Sequence, residues 1–302
     1  MLSTELPVLR LGLPKGRMQE GVFRLLGDAG LPVHADERGY RPSVGSPGAG
    51  ADGFLLDSKI LKPQNIIEMI DLGSRDFGFA GADWVRELGA DIVELLDTRL
   101  DPVRVVAAAP TAILEGGRLP KQGAGGRRLL VASEYQNIAM AWIDGSLPGA
   151  QFVRSYGATE VFPPEDADVI VDNAASGSTL RANGLTIVEE IMTSSTRLYA
   201  SREAMDDPVR RAVIETVALL TKSVLEARGR VMLEINVPAD KLERLAASIP
   251  CLRAPTISAL HGGTAYAVKV AAPRSSLASL IPEIKRLGGE DIVVTELAQL
   301  VP

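Results

Sequence analysis

Asp172 closes the apolar run Val169-Ile170-Val171 and is followed by Asn173-Ala-Ala-Ser176-Gly177-Ser178-Thr179-Leu180. An unbroken β-branched run reads as a strand covered on both faces. The acid then stands at the strand's carboxyl end, where open α/β sheets gather their ligands. The Gly/Ser/Thr turn offers hydroxyls and close-approaching backbone N–H groups where a helix begins, and a helix start favours anions. This pattern is that of a phosphate cradle with an acid beside it. A ribose phosphate suits both parts: Asp172 accepts from the 2- and 3-hydroxyls while the turn holds the 5-phosphate. The plainer alternative is a strand–loop–helix junction whose Ser and Thr only cap the helix.

A second candidate is Pro14-Lys15-Gly16-Arg17, which places two cations at the end of the strand Val8–Leu13; its plain alternative is a solvated basic turn. Asp76-Phe-Gly-Phe-Ala-Gly81-Ala-Asp83 reads as a Gly-bounded strand whose Asp83 caps a helix. Glu160 has the bland reading of a surface carboxylate near a strand end. His261-Gly-Gly-Thr264 could suggest an esterase oxyanion loop, but no Gly-x-Ser-x-Gly nucleophile elbow accompanies it.

The elements that must position these residues follow from periodicity. Helical spacing covers Glu20 to Ala29, with Val22, Leu25 and Leu26 on one face, and Gly30 ends that helix. Asp36 to Asp52, rich in Pro, Gly and Ser, reads as a mobile loop. A short strand at Phe54, a helix from Pro63 to Leu72 and the strand Phe77–Gly81 come next. Strands near Val103–Ala109, Leu129–Ala132, Phe152–Arg154 and Val169–Val171 then alternate with helices, which implies parallel α/β layers. Beyond a long helix at about 208–228, the order βαββαβ reads as a ferredoxin-like domain.

Composition bounds the function. The 302 residues are 46% hydrophobic and 23% charged, enough for two or three domains. A net charge of −6 argues against a nucleic-acid partner, which needs a concentrated basic surface. One cysteine and two histidines exclude disulfide frameworks and Cys/His zinc sites, but not a carboxylate-bound magnesium. No apolar run reaches the roughly 18–20 residues of a membrane span and no leader is evident, so a cytoplasmic enzyme is expected.

The segment Asp172, Gly177, Thr179, Leu180, Asn183-Gly184-Leu185 resembles the phosphoribosyl-diphosphate loop of the ATP phosphoribosyltransferases, which open histidine biosynthesis. Pro14-Lys15-Gly16-Arg17, the turn ending at Asp83, the Tyr135 segment and Gly157-Ala-Thr-Glu160 resemble further segments of that family. Ala254-Pro255-Thr256-Ile-Ser-Ala-Leu260 resembles a run of its long form. The resemblance implies a two-lobe, periplasmic-binding-protein-like catalytic core plus a C-terminal ferredoxin-like (ACT-like) domain. It implies lobe I at 1–105 with 190–228, lobe II at 106–189 and a regulatory domain at 229–302.

In the family reaction, N1 of ATP attacks C1 of phosphoribosyl diphosphate and pyrophosphate leaves. This demands alignment and charge stabilisation more than acid–base chemistry. The resemblance implies Lys15, Arg17 and Asp172 as catalytic, with Asp172, Ala175, Ser176, Gly177, Ser178, Thr179 and Leu180 on the donor. Lys15, Gly16, Arg17, Lys62, Asp83, Tyr135 and Glu160 would bind the nucleotide. It also implies Mg2+, a homo-oligomer from dimer to hexamer, and histidine as effector at Leu252, Thr256 and Gly289.

Three departures stand out. Lys62-Pro-Gln-Asn65-Ile replaces the family's Arg-Pro-x-Asp-Ile, exchanging a bidentate fork for a point charge. Asn173-Ala-Ala175 replaces an apolar pair and a Ser or Glu, and Gly289 stands where Ala is common. They leave the acceptor open between ATP and another base. A paralogous transferase with another acceptor and a non-catalytic two-lobe anion-binding protein are the alternatives.

Overall fold

The computed structural model describes residues 6–36, 39–46, 53–250 and 254–302. The chain forms two compact units, one within Met1–Arg24 and Val33–Ile214, the other within Leu25–Pro32 and Glu215–Pro302.

The first unit begins with β1 (Val8–Pro14), α1 (Arg17–Asp28), the short pair β2 (Val33–His34) and β3 (Ser43–Val44), and β4 (Leu55–Leu61). Then follow α2 (Pro63–Asp71), β5 (Phe77–Gly81), α3 (Ala82–Leu88) and the long β6 (Val93–Pro110). It continues through β7 (Leu130–Ser133), α4 (Gln136–Ser146), β8 (Gln151–Arg154), β9 (Val169–Ala174), α5 (Ser178–Ala182), β10 (Leu185–Ala200) and α6 (Arg202–Asp206). Helix α7 (Pro208–Arg228) runs across the boundary between the units. The segment expected as a loop at 36–52 contains β3, which pairs antiparallel with β2, and the rest of it lies partly outside the described residues.

One eight-stranded sheet, in the order β4-β1-β5-β10-β6-β9-β7-β8, carries this unit. Its two flanks are parallel, β4-β1-β5 on one side and β9-β7-β8 on the other. Between them β10 runs antiparallel to both β5 and β6, and β6 antiparallel to β9. The expectation of parallel layers is therefore corrected at the centre, where two long strands cross from one α/β half to the other. Register shifts at several points along β6 and β10 break the alternation that would mark such strands in a sequence.

The core explains why Asp172 lands at a strand end. Val169 and Val171 pack with Val105, Ala107, Ile138 and Trp142 on one face of the sheet, and Ile170 with Val106, Ala108, Leu180 and Leu185 on the other. Both faces are dry, as the β-branched run predicts.

The second unit includes β11 (Arg230–Pro238), α8 (Leu242–Ser248), β12 (Thr256–Ala259), β13 (Ala265–Pro273), α9 (Leu277–Arg286) and β14 (Glu290–Glu296). The sheet order β12-β13-β11-β14, antiparallel throughout, is the ferredoxin-like arrangement. Val231, Leu233, Ile235 and Val237 alternate into its core against Leu245, Leu280 and Ile284. Gly289 is part of that packing, because a Cβ there would run into Ile284 and stand 3.0 Å from Ile235 Cγ2. Gly289→Ala is accordingly expected to destabilise this unit by about 1–3 kcal/mol through overpacking. Hydrogen exchange of the β11 amides in the full chain measures this, and unchanged protection would refute it.

Candidate functional site

Asp172 and the turn after it line a cavity of about 350 Å3. Residues Ala175, Ser176, Gly177, Ser178, Thr179 and Leu180 form its floor, and Arg17, Glu134 and Glu160 complete the wall. The turn is possible because Gly177 adopts φ 72°, a left-handed conformation that costs an L side chain about 1–2 kcal/mol. Ser176 Oγ donates to Ser178 Oγ at 2.9 Å, and Arg181 donates to the Ser176 carbonyl at 3.1 Å. Helix α5 has only five residues. Its macrodipole is small, so the cradle rests on hydroxyls and on the first-turn amides, which lack intrahelical acceptors. Leu180 lines the cavity with its side chain turned into the core, so only its backbone is left to face a ligand.

The electrostatics of this cavity centre on Asp172. Burial pushes its carboxyl up to about 6, with Glu160 and Glu134 adding to the rise and the Asn173 amide opposing it. Glu160 belongs to a tight turn pinned by the buried Ser155–Thr159 hydroxyl contact at 2.7 Å, with Ala158 at φ 48°.

A second cavity of about 390 Å3 is lined by Lys15, Arg17, Lys62, Asp83, Trp84 and Tyr135. It shares Arg17, Glu134 and Asn173 with the first. Gly16 turns between the two cations at φ 85°. Of the residues expected on the nucleotide, the structure gathers Lys15, Arg17, Lys62, Asp83 and Tyr135 here, with Gly16 only in the turn between the two cations, whereas Glu160 lies on the first cavity. Asn65 spends its amide on Glu68 at 3.1 Å, so of the α2 departures only Lys62 reaches the cavity.

The wall of the second cavity is a buried polar chain. Tyr135, 1% exposed, donates its hydroxyl to Asp83 Oδ2 at 2.7 Å. Ser194 Oγ donates to Asp83 Oδ1 at 2.6 Å and accepts from the Asp83 amide. Asn173 Nδ2 donates to the Tyr135 hydroxyl at 3.1 Å. Burial next to Asp83 pushes the Tyr135 hydroxyl far above its ordinary range, so it stays protonated. Glu87 extends the support: its carboxylate accepts from the Asn137 and Ile138 amides and caps α4 from a distance. Such a cap contributes about 0.5–2 kcal/mol.

Sequence reasoning gives Glu134 no role and marks Asn173 only as a departure that bears on the acceptor, although each adjoins a residue it selects. Tyr40 also escapes it: its hydroxyl accepts from Lys15 Nζ at 3.1 Å, and that cation stands 4.9 Å from the ring centroid. Nothing near Tyr40 in sequence announces this. Of the expected effector residues, Leu252 lies outside the described residues. Thr256 and Gly289 fall at opposite edges of the second unit's sheet, on β12 and just before β14.

An α/β core with a Gly/Ser/Thr turn at one strand end and a cationic turn at another, each lining one of two adjoining cavities, defines a class of protein built for anionic ligands. Comparison with known proteins narrows this class. The family model described as ATP phosphoribosyltransferase matches residues 62–222, and that of the HisG C-terminal domain matches 227–299. An ATP phosphoribosyltransferase from Chlorobium phaeovibrioides is 36% identical, covering 99% of this chain and 100% of its own length. One from Pelotomaculum thermopropionicum is 34% identical, covering 97% and 99%. A solved ATP phosphoribosyl transferase (HisG:HisZ) complex from Thermotoga maritima shares the fold, with TM-score 0.57 and 21% identity over 71% of this chain and 98% of that one. The chain belongs to the ATP phosphoribosyltransferase family, in the long form that carries a C-terminal domain. Its reaction is transfer of phosphoribosyl from phosphoribosyl diphosphate to N1 of ATP, the first step of histidine biosynthesis.

Proposed function

We propose that the first cavity takes phosphoribosyl diphosphate and the second takes ATP. The observation that supports this assignment is the shared wall, Arg17, Glu134 and Asn173; in this reading C1 of one ligand meets N1 of the other across it. Asp172 accepts from the ribose hydroxyls, and the 176–180 turn holds the 5-phosphate. Lys15, Arg17 and Lys62 receive the triphosphate and the charge of the departing diphosphate. Asp83 and Tyr135 act as positioning residues, since their polar atoms are engaged with Ser194, Asn173 and each other. In this reading lobe I is 1–105 with 190–228, lobe II is 106–189, and 229–302 is the regulatory domain. Isothermal calorimetry of each ligand alone tests it: Thr179→Ala weakens the donor and Lys62→Ala weakens ATP, and the reverse pattern overturns the assignment.

The family requires metal ions, and magnesium is the one we assign. Among the described residues no group of three or more His, Cys, Asp or Glu side chains gathers to hold an ion. The carboxylates of Glu134, Glu160 and Asp172 nevertheless line the first cavity. That suits Mg2+ carried on substrate phosphates, which takes only one or two protein carboxylates. When bound, the ion offsets the charge developing on the leaving diphosphate.

The raised Asp172 carboxyl gives a pH signature. Below about 6 it is protonated and loses its full acceptor capacity. The kcat/KM for the donor is then expected to fall about tenfold per pH unit. Glu160→Gln removes a like charge and lowers the Asp172 pKa, so the acidic limb moves to lower pH. An unmoved limb, measured in the two proteins side by side, would refute the assignment.

We further infer histidine feedback through the C-terminal domain and a cytoplasmic homo-oligomer, dimer to hexamer. Among the described residues no helix is long and apolar enough to cross a membrane. Because Thr256 and Gly289 lie on opposite edges of one sheet, a single effector touching both spans two copies of the domain. Histidine binding is therefore tied to assembly, which sedimentation with and without histidine reads directly.

A further inference from the structure

The geometry points to Asn173 as a specificity-determining residue that accepts a hydrogen bond from the exocyclic 6-amine of the acceptor purine. The inference rests on the placement of donor and acceptor given above. Asn173 follows Asp172 in β9 and lines both cavities. It therefore stands at the wall the attacking ring must approach. The 6-amine of adenine is the substituent next to N1, so whatever flanks N1 at the moment of attack also meets the amine.

The buried chain decides which way round the Asn173 amide points. Asp83 holds only acceptors towards Tyr135, so the Tyr135 proton is committed to Asp83. The hydroxyl can then only accept from Asn173, and the NH2 end of the amide must face it, at 3.1 Å. Among the described residues nothing donates to Asn173 Oδ1, and the residue is exposed. The amide is oriented by its one hydrogen bond to Tyr135, whose hydroxyl is fixed in turn by the buried Asp83 and Ser194, and this leaves the carbonyl oxygen free on a residue that lines both cavities. Its chemical complement is an N–H donor. A 6-oxo purine places an acceptor there, and its N1 carries a proton, so it is disfavoured twice.

The contact also strengthens as the reaction proceeds. Bond formation from N1 to C1 places positive charge on the ring, and that charge is shared with the 6-amine. Its N–H becomes a better donor while the pyrophosphate leaves with the electron pair of the broken C1–O bond. An acceptor fixed beforehand then stabilises the transition state more than the ground state.

The test compares ATP with purine riboside 5′-triphosphate, which keeps the N1 lone pair but lacks the amine. The kcat/KM of each is measured by pyrophosphate release with Mg2+ and phosphoribosyl diphosphate. Asn173→Leu is expected to lower the ATP value about 10-fold or more and to leave the other nearly unchanged, so their ratio contracts about 10-fold. Tyr135→Phe, which frees the amide to turn, contracts the ratio in the same direction. Asn173→Val repeats the measurement should the leucine variant fold poorly. An unchanged ratio, with both substrates slowed alike or neither slowed, overturns the inference while leaving the site assignment in place. Absence of turnover of ATP by the unaltered protein overturns both.

Discussion

Asp172→Ala is expected to weaken phosphoribosyl diphosphate roughly 10- to 150-fold, the equivalent of losing a hydrogen bond to a charged group worth about 1.5–3 kcal/mol. The carboxyl sits at the mouth of β9 with both faces of the strand packed, so the backbone that presents it has little reason to move. The Asn173 amide donates to Asp172 Oδ1 at 2.7 Å, and removing the acid frees that amide locally. ATP affinity should change far less, because the second cavity does not include Asp172. Calorimetric titration of each ligand into the variant separates the two. Equal loss for both ligands would indicate a collapsed site, and unchanged donor affinity would remove Asp172 from the donor altogether. The variant should also lose the acidic limb near pH 6, since the group that titrates there is gone.

Histidine is expected to lower the activity of the full chain about 5- to 150-fold at saturation, the range set by a coupling free energy of about 1–3 kcal/mol. Inhibition of this size requires that histidine bind one state of the protein better than another. The second unit offers the means. Strand β12 is exposed along its whole length at one edge of the sheet, and Val293 and Val294 are 51% and 42% exposed on the opposite edge strand, β14. Unpaired edges of this kind are where a sheet meets another chain. Thr256→Arg puts a charge on the β12 edge and is expected to raise the histidine needed for half inhibition. The uninhibited rate should be unchanged, because Thr256 is no part of either cavity. An active protein that neither binds nor responds to millimolar histidine would leave the domain with a structural role or another ligand.

Local chemistry is legible in the amino-acid sequence itself. The run Val169-Ile170-Val171 dictates a doubly buried strand, and Gly177 with its Ser and Thr neighbours dictates a turn open to an anion. The Pro14-Lys15-Gly16-Arg17 turn and the βαββαβ order are equally plain, because each depends on spacing within a short stretch. The central pair β6 and β10 is not, since register shifts erase its alternation and its pairing partners lie far apart in the chain.

The same separation hides the polar wall. Asp83, Tyr135, Asn173 and Ser194 are scattered over the chain, and only the crossing of β10 past β5 and β6 brings Ser194 onto α3. Sequence alone determined which residue types could meet a phosphate, because backbone conformation and side-chain chemistry are local properties. Tertiary structure decided which atoms of those residues remain free for a ligand. A donor or acceptor is available only if no distant partner has already taken it, and at Tyr135 and Asp83 distant partners have.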